Sequence, residues 1–339
     1  GFLAKTGEEV FAYVPNEVYS NLSALTSPLY SHKYYVDGSP KVIDAYVSSS
    51  WKTVLVSSVG AGGNSVFAID ITDPQSITAG NVMWEFSNAD LGLVSQAAVG
   101  RLSNGNWVAI VSNGYNSVDG RAKLLIINLS NGQLLKTIDT GVGTVADPNG
   151  LGLPLVVDTN NDRIIDFVYA GDQQGNMWKF DLTGSIGEWG IPVKSGNIVK
   201  PLFIACDSYN VNGQCLSTNS RQPITARPIA ISHPAGGVML LFGTGSYFLT
   251  EDMNALNRKE AVYGVRDNYA TTTISKSNLV QQSIILERGV SPDNPSFAIR
   301  VLSKINIDYS SKSGWFMNLL SPGYSGYSGE RVISDLQVN

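Results

Sequence analysis

The densest group of potential metal ligands in the chain is Asp158-Thr159-Asn160-Asn161-Asp162-Arg163-Ile164-Ile165-Asp166. Oxygen-bearing side chains fall at positions 1, 3, 5 and 9 of this segment, and position 7 offers the Ile164 carbonyl. A hard cation such as Ca²⁺ takes about six to eight oxygens in flexible geometry, and a chain coiled around it delivers them at alternate positions. Asp158, Asn160, Asp162 and Asp166 by side chain, with Ile164 by carbonyl, therefore form a candidate calcium set. The bidentate Glu of a helix-loop-helix site would fall at Tyr169, and apolar runs flank the segment, so it is not an EF-hand. An Asx-rich turn between two strands is the plainer alternative, because Asp and Asn favour turns through local hydrogen bonds. Three acids within nine residues argue for the ion, since without one they repel each other. Arg163 stands where a glycine would ease the sharp turn, and its charge opposes a cation.

The remaining reactive residues are few. Cys206 and Cys215 flank the turn-like Asn210-Val211-Asn212-Gly213. They read as a disulfide-closed hairpin loop or, in a reducing compartment, as two free thiols. No His or third Cys stands near them, which excludes a zinc site. His32 and His233 lie in turn-like sequence without spaced Ser or Asp partners, so they make no hydrolytic triad.

These residues must be placed by strands. An apolar run ending in a Gly-bearing turn, followed by a second apolar run ending in Asp or Asn, recurs four times. The first halves are Val54-Leu55-Val56 to Gly60, Ala109-Ile110-Val111 to Gly114, Phe167-Val168-Tyr169-Ala170 to Gly171 and Leu240-Leu241-Phe242 to Gly243. The second halves end at Asp70, Asn128, Asp181 and Asp267. A strand precedes each unit, at Val42–Val47, Ala97–Leu102, Leu153–Val157 and Ile224–Ile231, and a fourth such as Val82–Phe86 or Gln133–Ile138 completes it. Four short strands per unit with turn residues between them is the pattern of a propeller blade. No amphipathic run of helical period and length appears, which excludes a parallel βαβ sheet. The expected fold is all-β: one β-propeller domain over 1–339, built of four-stranded antiparallel blades. Thr6–Val14 reads as the turn and last strand of a blade, Gly314–Leu319 as an inner strand of a further one, and the blades at the two ends as incomplete.

Charged residues are 15% of the chain and hydrophobic ones 43%, a balance that suits a β-rich extracellular protein. The net charge of -5 comes with no Lys/Arg cluster, so neither nucleic acid nor an anionic membrane is an expected partner. No apolar run is long enough to span a bilayer, and Gly1-Phe2-Leu3-Ala4-Lys5 is no signal peptide, so an export signal is expected upstream.

Several segments together carry a family resemblance: Thr6-Gly7-Glu8-Glu9-Val10-Phe11-Ala12-Tyr13-Val14-Pro15, Tyr34-Tyr35-Val36-Asp37-Gly38, Gly60-Ala61-Gly62-Gly63, Asn113-Gly114-Tyr115-Asn116 and the acidic loop. The loop continues into Tyr169-Ala170-Gly171-Asp172 and Gly175-Asn176-Met177-Trp178-Lys179-Phe180-Asp181-Leu182. Phe242-Gly243-Thr244-Gly245 and Ser328-Gly329-Glu330-Arg331-Val332 follow in the same order. On these the chain resembles the C-terminal propeller of the PilC/PilY family of type IV pilus-associated proteins. The resemblance implies a modified seven-bladed propeller forming the C-terminal part of a larger secreted protein at the pilus tip or bacterial outer surface. It implies Ca²⁺ held by Asp158, Asn160, Asp162, Asp166 and the Ile164 carbonyl, in a loop whose family pattern has Gly where Asn161 and Arg163 stand. It further implies partners among the pilus tip components (minor pilins) and a host receptor or glycan, and roles in pilus extension against retraction and in adhesion. No Arg-Gly-Asp tripeptide occurs, which removes the simplest integrin argument.

Two rival readings share the expected fold. A quinone-dependent dehydrogenase also uses Trp-bearing blades and calcium, but Trp84, Trp107, Trp178 and Trp315 occupy differing strand positions rather than a recurrent docking motif. A carbohydrate-binding propeller would stack sugars on Tyr115, Tyr247, Tyr324 and Tyr327, residues that serve equally as strand packing. The expected protein is therefore not an enzyme.

Overall fold

The recurrent apolar runs become strands because they alternate with Gly, Asn and Asp turns and carry the β-branched and aromatic residues that fill a pleated surface. The structure is a computed structural model, described at residues 1, 6–248, 252–253, 258–288, 299–323 and 329–338. Among the described residues helix is confined to α1 (Asn16–Tyr19) and short 3-10 turns. The chain divides into two compact units, one of Gly1–Val168 with Asp181–Gly190 and the other of Tyr169–Phe180 with Ile191–Asn339.

In the first unit, β1 (Lys41–Val47), β2 (Ser50–Ser58), β3 (Ser65–Asp70) and β4 (Val82–Ser87) pair antiparallel in the order β1-β2-β3-β4. The next sheet repeats this order with β5 (Ala98–Arg101), β6 (Trp107–Ser112), β7 (Lys123–Asn128) and β8 (Leu134–Asp139). Both are the up-and-down blades expected. β3 and β7 are each buried at five successive residues and half-buried at the sixth, so both faces of these strands are covered and their sequences run apolar instead of alternating. Ala45, Val54, Val56 and Val66 meet Val99, Val111, Leu125 and Ile127 in one cluster. Each fully buried aliphatic side chain of this kind contributes about 1.5–3 kcal/mol.

The Asp or Asn that closes each repeat has a local task. Asp70 Oδ1 accepts from Thr72 N and Oγ1, Asn128 Oδ1 from Ser130 N and Oγ, and Asp181 Oδ1 from Thr183 N and Oγ1. The residue two positions on thus stops the strand with paired Asx bonds. Gly132, in the β7–β8 turn, has φ +72°, and a Cβ there would lie 2.7 Å from the Trp84 ring. Only glycine satisfies both the turn and the approach of Trp84, whose Nε1 donates to Leu129 O.

β9 (Leu155–Val157), β10 (Phe167–Gly171) and β11 (Asn176–Asp181) come next. β12 (Lys194–Ser195) pairs with β13 (Ile198–Val199), and β14 (Phe203–Ile204) completes the sheet β9-β10-β11-β14. β11 has the same five-buried pattern as β3 and β7.

In the second unit β15 (Ile229–Ser232), β16 (Val238–Gly243) and β17 (Ala261–Asp267) form the antiparallel core of the fourth repeat. Its fourth position departs from the expected order. β18 (Leu279–Gln282) and the hairpin of β19 (Ile284–Arg288) and β20 (Ile299–Leu302) intervene before β21 (Gly314–Asn318), which inserts between β17 and β18. Residues 314–319 therefore complete the fourth sheet rather than open a new blade. β21 runs antiparallel to β17 and parallel to β18, and the Trp315 indole covers Gly264, where any Cβ would collide with it. The rings of Phe203, Phe242, Tyr263 and Phe316 pack through this unit at 5.2–6.1 Å, Tyr263 stacking on Phe242 and Phe316 and Phe203 tilted against Phe242 and Tyr263.

Thr6–Val14 also differs from expectation, because residues 10–14 join no strand. The Tyr13 ring packs 5.1 Å from Phe67, its hydroxyl donates to Glu85, and Asn16 N donates to the same carboxylate. These contacts lay the segment across β3 and β4 instead of along a ladder.

Candidate functional site

The acidic loop joins β9 to β10, and its base is fixed by the first unit's backbone. Asp166 N donates to Val157 O at 3.0 Å, Ile165 N to Arg101 O at 2.9 Å, and Leu182 N to Asp166 O at 2.9 Å. Ile165 is buried, while Thr159 to Arg163 are exposed. The sequence thus supplies an apolar anchor after the polar run, and the polar run is left to fold on itself.

Asp158 organises that fold. Its Oδ1 accepts from Asn160 N, Asn161 N and Asp162 N, the tightest at 2.7 Å, and its Oδ2 accepts from Arg163 N at 2.6 Å. Asn160 Oδ1 accepts from Asp162 N, Asn160 Nδ2 donates to Asp162 Oδ2, and Asp162 Oδ1 accepts from Ile164 N. Asn161 and Arg163 take the left-handed conformation, with φ +63° and +66°. Such a backbone costs Arg163 about 1–2 kcal/mol, whereas the short polar side chain of Asn161 tolerates it. The loop therefore follows a tight coil that bends most at 161 and 163.

Asp158, Asn160 and Asp162 are brought together at the coil. Asp166 is turned to Thr159, whose N and Oγ1 both donate to its Oδ2. Among the described residues no three acidic, histidine or cysteine side chains converge on a point that could hold a metal. The arrangement is an Asx-bonded turn with oxygen ligands on one short coil. Its donor set of three carboxylates, one amide oxygen and one carbonyl contains only hard donors and fits Ca²⁺ by chemistry. The spacing of acidic and amide residues does not point to Thr159, whose signal in the sequence is a hydroxyl beside an acid-rich turn.

The other singled-out residues lie apart. Cys206 and Cys215 are joined by a disulfide across a Cα–Cα distance of 5.4 Å, closing a loop whose turn has Asn210 N on Gln214 O and Gly213 at φ +74°. Trp178 Nε1 donates to the buried Asp172 carboxylate, and Trp107 meets Trp51 edge-on at 6.3 Å, so these indoles serve blade packing. His32 rests against Tyr34 and His233 against Tyr309. Burial, with Arg266 as a second cause, holds the His233 imidazole below its usual pKa. Tyr247 is exposed, Tyr115 is half-buried, and Tyr324 and Tyr327 lie outside the described residues. No helix among the described residues is long and apolar enough to cross a membrane.

Four-stranded antiparallel sheets repeated along the chain, with glycine-bearing inner turns, define an all-β protein of the β-propeller class. The chain belongs to the family of the PilY1 beta-propeller domain, whose sequence pattern matches residues 4–291. It is 39% identical over 97% of its length to a type IV pilus biogenesis factor PilY1 homolog of Xylella fastidiosa, covering 22% of that protein. It is 35% identical over 97% of its length to type IV pilus biogenesis factor PilY1 of Pseudomonas aeruginosa, covering 30% of it. The chain thus spans less than a third of these two relatives. The crystal structure of the Pseudomonas aeruginosa PilY1 C-terminal domain superposes with a TM-score of 0.78 at 31% identity, over 97% of this chain and 70% of that one.

Proposed function

We propose that this chain is a non-enzymatic, calcium-binding propeller of a type IV pilus biogenesis factor, acting at the bacterial outer surface or pilus tip. The observation that carries the reading is the coiled loop 158–166, which gathers carboxylate, amide and carbonyl oxygens on one coil and bends at two residues held at positive φ. Asp158, Asn160, Asp162 and Asp166 would hold the ion by side chain and Ile164 by its carbonyl. Ca²⁺ supplies positive charge that offsets three neighbouring carboxylates. The chain's own part is to fix the loop ends through Val157, Arg101 and Leu182, so that occupancy orders the exposed coil and leaves the blades folded. An ion that binds only the ordered coil stabilises it by mass action, about 2.7 kcal/mol at a free concentration 100 times its dissociation constant.

The names of the relatives support pilus biogenesis, and the proposed partners are pilus tip components such as minor pilins, with a host receptor or glycan for adhesion. A calcium-dependent change of the 158–166 surface would alter the tip contacts and shift the balance of extension against retraction. Calorimetry is expected to show one Ca²⁺ per chain, lost in Asp162→Ala, while hydrogen exchange in residues 155–168 slows on adding Ca²⁺. A strain carrying that substitution is expected to make normal amounts of protein and abnormal numbers of pili. Unchanged calcium binding by the variant would remove the site, and global unfolding on chelation would remove the ordering role.

A further inference from the structure

A cleft of about 810 Å³ opens in the second unit beneath the disulfide loop. One wall is the loop itself, with Asn210, Asn212 and Gln214, and the facing wall carries Thr273, Ser275 and Ser277. Among the described residues no carboxylate lines it, whereas Lys200 and Lys276 do. Thr273 donates to Pro201 O, the Ser275 and Ser277 hydroxyls share a hydrogen bond, and Asn210 Oδ1 accepts from Asn212 N and Gln214 N. The Asn212 and Gln214 amides, which both donate and accept, therefore carry most of the capacity left for a ligand, with the remaining lone pairs of the hydroxyls beside them. Phosphate or a peptide carboxylate needs donors only. A hydroxyl-rich ligand needs partners of both kinds, and Pro201, Ile274 and Val211 add apolar surface for the carbon face of a ring.

Lys276 fixes the charge of the ligand. Its ammonium lies 4.5 Å from the centre of the Phe316 ring, 5.4 Å from Tyr209 and 5.6 Å from Tyr263, and donates to Cys206 O at 2.8 Å. Among the described residues that carbonyl takes one of its three donors. Asp207 is the nearby carboxylate, and it is already paired with Lys259 at 3.4 Å. We propose that this cleft binds a carboxylated saccharide, with hydroxyls on the amide and hydroxyl walls and the carboxylate at the Lys276 ammonium. Burial, offset in part by the Asp207 carboxylate and reinforced by the Lys259 charge, holds the Lys276 pKa down to about 8. A bound carboxylate favours the protonated form, so binding near pH 8 takes up a proton. Tyr209 and Tyr263, the phenols packed on the lysine, are raised by burial and stay neutral there.

The test is calorimetry on the disulfide-intact 339-residue chain with 3′-sialyllactose, tetragalacturonic acid, lactose and inorganic phosphate. At least one acidic sugar is expected to bind, with lactose and phosphate weaker by about tenfold or more, the size of one charged hydrogen bond. Sialyllactose alone assigns a terminal acidic residue, and tetragalacturonate alone a chain of uronates. At pH 8 the heats in buffers of different ionisation enthalpy are expected to show proton uptake. Gln214→Glu, at an exposed loop position, is expected to weaken the acidic sugar about tenfold without moving the melting curve. Lys276→Met is expected to erase the preference over lactose. Chelating calcium is expected to change nothing, which separates this site from the 158–166 loop. Failure of both acidic sugars to bind, equal binding of lactose or phosphate, or indifference to both substitutions overturns the proposal.

Discussion

Arg163 is the residue at which the proposed calcium loop is most open to improvement. Its φ of +66° is held by its own N–H, which donates to Asp158 Oδ2 at 2.6 Å, and by the coil on either side. A side chain with a Cβ in this region costs about 1–2 kcal/mol, and glycine removes that strain. Glycine also makes the unfolded chain more disordered, by about 0.5–1 kcal/mol, so the folded protein is expected to gain about 0–1.5 kcal/mol. The exposed guanidinium adds a second effect, a repulsion of any bound cation that water and salt limit to about 0.5 kcal/mol. Arg163→Ala relieves the charge and keeps the Cβ, whereas Arg163→Gly relieves both. Calcium calorimetry is therefore expected to show about twofold tighter binding for the alanine variant and about three- to tenfold for the glycine variant. The excess of Gly over Ala measures how far the calcium-free loop leaves its coiled path, because strain shared by both states cancels. Glycine binding no tighter than Arg163 would falsify the strain argument, and alanine matching glycine would show that the calcium-free loop keeps its coil, against the ordering role proposed for the ion.

Three further outcomes follow from contacts in the second unit. Lys179 and Asp267 form an ion pair at 2.8 Å that is 2% and 1% exposed, with Tyr169 OH also donating to Asp267. Lys179→Met strands a buried carboxylate and is expected to cost about 3–5 kcal/mol, read as a melting temperature lower by ten degrees or so; a shift of under two degrees would contradict it. Replacing Cys206 and Cys215 together by Ser opens a loop of nine-residue separation and is expected to lower stability by about 2–3 kcal/mol in a denaturant titration. Lys276 has a folded pKa of about 8, below its unfolded value, so the unfolded chain binds more protons between there and about pH 10. The melting temperature is expected to carry a rising contribution across that window, present in the parent chain and missing from Lys276→Met.

The strands were legible where local pattern governs them. β2, β3, β6, β7, β10 and β11 follow from apolar runs closed by glycine or by Asp and Asn, and the Asx bonds of Asp70, Asn128 and Asp181 show why that punctuation recurs. β21 was not legible as a member of the fourth sheet, because its partners lie about fifty residues back on β17 and on a parallel strand, and no local signal encodes either register. Residues 10–14 carry β-forming side chains yet lie across a sheet, since Tyr13 finds Phe67 and Glu85, contacts more than fifty residues distant in sequence. At the acidic loop the oxygen donors could be read from spacing alone. The backbone could not: that Asp158 takes four N–H groups and Asp166 takes Thr159 depends on the anchors at Val157 and Arg101. The cleft beneath the disulfide joins residues from 195 to 316 and had no sequence signature.

The position of β21 also has a mechanical consequence. A strand at the edge of a sheet can be peeled away one hydrogen bond at a time, but β21 is clasped between β17 and β18. Tension pulling on the chain beyond Asn318 meets two ladders at once, and the one to β18 is parallel. Parallel strands drawn from opposite ends slide against each other, so their bonds share the load instead of opening in turn. The fourth sheet is thus built to resist extraction from its C-terminal side.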